Sequence, residues 1–142
     1  MKQEVYELIN KIKVKSFKDN YSKFAEINLY PGQQALLCAI DENKGINQRR
    51  LAEITLKTPA TITTMLQKME KQDLLKIINV ESNKRETKLE LTKKGLDKLS
   101  KIKEVERNII NEMFNNFSEE ELNDFYKLLK KMEKNIMEEK HD

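Results

Sequence analysis

Between Gln48 and Thr92 the hydrophobic period changes from helical to strand-like within 45 residues, which leaves few folds open. Leu51, Ala52 and Ile54 mark a short helix that Asn47 caps and that ends near Leu56. Thr58 and Pro59 start a second, because a threonine hydroxyl accepts a first-turn amide and proline suits the first helical position. This helix reaches about Gln72, with Ile62, Met65, Leu66 and Met69 inward and Ala60, Thr61, Thr63, Thr64 and Lys68 outward. Leu74-Leu75 and Ile77-Ile78 then begin a strand. Thr87, Leu89 and Leu91 alternate on its return, around a tip at Ser82-Asn83-Lys84-Arg85. Helix, helix and hairpin in this order predict a helix-turn-helix followed by a β-wing.

The flanking segments are helical. Val5, Leu8, Ile9, Ile12, Phe17, Tyr21 and Phe24 recur at steps of three and four, predicting a helix from about Gln3 to Ala25. Pro31-Gly32 opens another that carries Ala35 to Ile40, and Asp41 to Gly45 reads as a loop. Thr92 caps a helix from Lys93 to Asn116 with a stripe of Leu96, Leu99, Ile102, Val105, Ile109 and Met113. Ser118 and Glu121 form a capping box for the last helix, which presents Leu122, Phe125, Leu129, Met132 and Ile136. The expected fold is mainly α with a minor β component. A winged helix-turn-helix over 30–94 is flanked by long helices over 1–29 and 95–142. The end helices carry more apolar surface than a winged helix can cover, so they are read as a homodimer interface.

Charge separates the two parts. From Lys44 to Lys94 twelve Lys and Arg face six Asp and Glu, giving +6, whereas fifteen against eighteen gives −3 elsewhere. The cations thus lie with the helix-turn-helix and wing, where phosphate binding needs them. Gln48, Arg49 and Arg50 open the first helix of this region, and Lys84 and Arg85 occupy the wing tip. A helix entering the major groove needs short side chains at its leading face. Ala60, Thr61, Thr63 and Thr64 supply them, with methyls for thymine and hydroxyls for base edges or phosphates. Thr58 offers an amide and a hydroxyl to phosphate, Lys68 is placed to reach the backbone, and Arg85 suits a narrow A·T-rich minor groove. Without Trp and with few aromatics, the chain has no stacking platform for single strands.

Leu51-Ala52-Glu53, Thr58-Pro59-Ala60-Thr61-Ile62-Thr63, Met69-Glu70-Lys71, Leu74-Leu75 and Leu91-Thr92-Lys93-Lys94-Gly95 together resemble the MarR (multiple antibiotic resistance regulator) family. The spacing agrees without a gap over roughly 45 residues. The resemblance implies a dimeric winged-helix transcription factor, usually a repressor released by a small ligand or by oxidation. Arg85 matches the arginine that ends the family's wing signature, whereas Val80 and Asn83 stand where aspartates are usual. Asp73 replaces a customary glycine. The partners expected are double-stranded DNA with an A·T-rich inverted repeat and a second copy of the chain.

The resemblance also implies an effector cleft for a small aromatic or amphipathic molecule, with Phe17, Tyr21 and Phe24 either lining it or serving as core. Lone His141 argues against a several-histidine zinc site, and no cofactor is expected. Cys38, the only cysteine, lies in an apolar run and reads as a small hydrophobe, with a redox-active thiol as the alternative. Catalytic residue sets and glycine-rich phosphate loops are lacking, so no enzyme is expected. The rival reading is a helical interaction adaptor with degenerate DNA binding. With neither a signal-like N-terminus nor a membrane-length apolar run, a cytoplasmic protein is expected.

Overall fold

The computed structural model describes residues 1–80 and 87–138. The expected wing tip with Lys84 and Arg85, and the tail with His141, lie outside the described residues. Among the described residues, six helices and two strands follow in the order α1 (Lys2–Ala25), α2 (Gln33–Glu42), α3 (Gln48–Thr55), α4 (Pro59–Lys71), β1 (Leu75–Asn79), β2 (Thr87–Leu91), α5 (Lys93–Met113) and α6 (Glu119–Met137). The chain forms two compact units, 1–107 and 108–142.

Local chemistry fixes most helix starts. The Asn47 side chain accepts the Arg50 amide, Thr58 accepts that of Thr61, and Ser118 and Glu121 complete the predicted reciprocal box. Thr92 Oγ1 accepts the Gly95 amide and donates to the Asp73 carbonyl, so one hydroxyl both caps α5 and ties it to the end of α4. Gly95 itself is required by packing. A Cβ there would run into the Leu74 carbonyl oxygen, so α5 meets the start of β1 only through a residue without a side chain.

In the first unit Leu36, Leu37, Leu51, Ile62, Leu66, Met69, Leu75, Leu89 and Ile102 are fully enclosed. Leu36 and Leu37 come from α2, Leu51 from α3 and Ile62, Leu66 and Met69 from α4, so the three helices share one core with the hairpin and α5. β1 and β2 pair antiparallel, Leu75 opposite Leu91 and Ile77 opposite Leu89. Leu89 and Leu75 point into the core while Lys76, Lys88 and Glu90 face water. A bridge from Asn47 to Lys88, with the Leu89 amide donating to Ile46 at 3.0 Å, adds a third short rung beside β2.

Two expectations are corrected. Asp41 and Glu42 are the last turn of α2 and not a loop; Asp41 is held there by Lys44 and by Lys103 of α5, each at 3.8 Å. The fifth helix stops at Met113, three residues early, because Phe114 to Asn116 form a turn whose Asn116 is left-handed (φ 66°). Along the stripe of α5, Leu99 and Ile102 are buried while Leu96 stands half out of the surface. Among the described residues no helix is long and apolar enough to cross a membrane.

Candidate nucleic-acid interface

Helix α4 follows a tight turn in which Leu56 adopts a left-handed conformation (φ 55°) and donates its amide back to α3. Its buried edge is Ile62, Leu66 and Met69, with Met65 half-buried. The opposite face, with Ala60, Thr61, Thr63, Thr64 and Lys68, is exposed as expected. Its hydroxyls are not equivalent. Thr63 donates to the Pro59 carbonyl at 3.0 Å and Thr64 to the Ala60 carbonyl at 3.1 Å, so both present methyls and lone pairs to the outside. Thr58 donates to Thr61 Oγ1 at 2.8 Å, which leaves the Thr61 hydroxyl hydrogen for an outside acceptor. The helix start therefore offers one hydroxyl donor, two hydroxyl acceptors and a row of methyls.

Gln67, which does not stand out in the sequence, is exposed beside Thr63 and Thr64, at the i+4 and i+3 positions. Its carboxamide is the one group on this face suited to a bidentate pair with adenine. The spacing from the threonines was the available signal. Lys68 is exposed, and its ammonium sits 3.7 Å from the ring centre of Tyr30, a cation–π contact.

At the start of α3, Arg49 and Arg50 are exposed and share Glu53, at 3.7 and 3.1 Å. Gln48 is half-buried, its Oε1 3.4 Å from the hydroxyl of Thr87, so it braces the base of the wing. The segment before α2 is wired to α4. Buried Gln33 accepts the Tyr30 amide and donates to Gln72 Oε1 at 2.9 Å, while Lys94 holds the Gln72 carbonyl. Thus Tyr30 and Gln33 hold Lys68 and Gln72, the two ends of the last turn of α4 and its cap.

Phe17, Tyr21 and Phe24 do come together, with Leu29, Pro31 and Gln34, around a recess of about 100 Å³. Phe24 is 5% exposed and belongs to the core, whereas Phe17 (67%) and Tyr21 (50%) stand at the mouth. Cys38 is half-buried. Burial pushes its thiol up to about 11, helped by the carboxylates of Glu106, Glu42 and Asp41 against the opposing pull of Lys103. That environment suppresses the thiolate a redox sensor needs. Among the described residues no group of three His, Cys, Asp or Glu is placed to hold a metal ion.

The fold is shared with known proteins. The sequence pattern of the MarR family matches residues 29–87. The chain is 30% identical over 114 residues to the uncharacterized HTH-type transcriptional regulator YybA of Bacillus subtilis (strain 168), covering 80% of this chain and 76% of the relative. It superposes on a MarR protein from Peptoclostridium difficile with a TM-score of 0.84 and 32% identity, over 93% of this chain and 86% of that one. A mutant MarR from E. coli complexed with operator DNA shares the fold, with a TM-score of 0.81 and 19% identity over 91% and 93% of the two chains. With a relative at this identity over most of both chains, and the family pattern over 29–87, the chain belongs to the MarR family of transcriptional regulators.

Proposed function

We propose that the protein is a cytoplasmic homodimer that represses transcription by binding an A·T-rich inverted repeat, and that it releases DNA when a small aromatic or amphipathic molecule binds. The observation that carries this reading is the exposed α4 face of short side chains, set in the +6 segment and presented on a fold that a relative uses in complex with operator DNA. In this reading Thr58, Ala60, Thr61, Thr63, Thr64 and Gln67 of α4 meet the major groove. Gln48, Arg49 and Lys68 position the backbone, and Lys84 and Arg85 enter the minor groove. Residues 30–94 are the reader, while 1–29 and 95–142 make the dimer, which places the two readers about one helical turn (~10 bp) apart.

The effector occupies the recess at Phe17, Tyr21 and Phe24. One wall of that recess is Leu29 to Gln34, the segment whose Tyr30 and Gln33 hold Lys68 and Gln72. A ligand that shifts this wall shifts the end of α4. Selection of bound duplexes from a random pool tests the reading, and an inverted repeat should emerge. Affinity should fall steeply with salt. An adaptor would show neither. Arg85→Ala should weaken binding by roughly 1–3 kcal/mol, and an unchanged affinity would remove the wing from the interface.

A further inference from the structure

The two-stranded wing has two edges, and each is held differently. At β2 the Leu89 amide points outward to the Ile46 carbonyl at 3.0 Å. Ile77 is directly opposite Leu89, so its amide points out of the other edge, where β1 has no neighbouring strand among the described residues. There the amide donates to Glu70 Oε2 at 2.9 Å. Glu70 is the only acidic residue of α4 and is exposed between Lys68 and Lys71. A carboxylate on a helix that approaches phosphate is electrostatically unfavourable. Here it accepts a charge-assisted hydrogen bond that closes an open strand edge and links helix to wing seven residues apart.

We propose that Glu70 is the positioning residue of the wing: its carboxylate fixes the angle between β1 and α4, and so sets where the hairpin stands when α4 is in the groove. The inference rests on the DNA-reading role. It separates geometry from charge, because Glu70→Ala and Glu70→Gln remove the same negative charge while only Gln keeps an oxygen that can accept the Ile77 amide.

The test measures duplex affinity by fluorescence anisotropy for both variants of the full chain, alone and combined with Arg85→Ala. Glu70→Gln should bind as tightly as the wild type or somewhat more tightly. Glu70→Ala should bind about three- to tenfold more weakly despite losing the same charge, and much of that loss should vanish in the Arg85→Ala background. Equal affinities for the two Glu70 variants, or additive losses with Arg85→Ala, would overturn the proposal. Residual dipolar couplings on the free protein read the tie without DNA. They should report a reoriented β1–β2 pair in Glu70→Ala and not in Glu70→Gln; couplings unchanged in both would overturn it. A wild type that binds no duplex, with the couplings shifted as expected, would defeat the DNA-reading role and leave the wing tie standing.

Discussion

Helices α4 and α6 begin alike and end up in opposite circumstances. Each is capped by a hydroxyl, Thr58 and Ser118, two residues after a left-handed residue, Leu56 for α4 and Asn116 for α6. Both carry an apolar stripe at helical spacing. In α4 the stripe is closed by its own chain, with Ile62, Leu66 and Met69 shut away from water. In α6 every stripe residue, from Leu122 through Phe125, Leu129 and Met132 to Ile136, is exposed in the single chain. Phe125 meets Phe117, itself edge-to-face with Phe114, and these rings cluster at the helix start without enclosing the rest. Equal local signals therefore yield a helix whose stability is intramolecular and one whose apolar face is left unfinished.

Cavity formation should show the largest difference. Leu66→Ala in α4 should cost about 2–5 kcal/mol in chemical denaturation, because the vacated volume lies in a closed core. Leu129→Lys in α6 should leave the melting of the reader unchanged and convert the protein to monomers in sedimentation. A dimer that survives Leu129→Lys would take α6 out of the proposed interface.

Removing the caps is a smaller perturbation. Thr58→Ala should lower stability by about 1 kcal/mol. Ser118→Ala removes a cap of the same kind, yet its loss should appear as weaker self-association measured over a dilution series. If both variants changed only the melting temperature, the contrast between the helices would fail.

The left-handed residues give the smallest effect. Leu56→Gly should stabilise by up to about 1 kcal/mol, since leucine pays for a positive φ that glycine adopts freely and its side chain is exposed. Asn116→Gly should gain less, because asparagine already enters this region more easily. Differential calorimetry of the two variants compares them directly.

Most boundaries were legible because caps and breakers act within one turn. Asn47, Thr58-Pro59, Thr92 and Ser118 with Glu121 each mark a helix start through atoms three residues away. The end of α2 is not legible, because Asp41 and Glu42 look like loop residues until Lys103, 62 positions away from Asp41, comes to stand beside Asp41. The candidate site was legible as a face and not as a set of partners. Lys68 could be placed outward from spacing, but the Tyr30 ring beneath it depends on how α4 crosses the segment before α2.

The sequence by itself determined the order of elements, the exposed threonine face and the concentration of positive charge around it, because periodicity, caps and charge counts are local properties. Only the tertiary structure decided that α4 is closed and α6 is open, that Glu70 is engaged by Ile77, and that Gln33 joins Tyr30 to Gln72. Those outcomes depend on which surfaces meet across long sequence separations, and a hydrogen bond or a buried leucine exists only after both sides are in place.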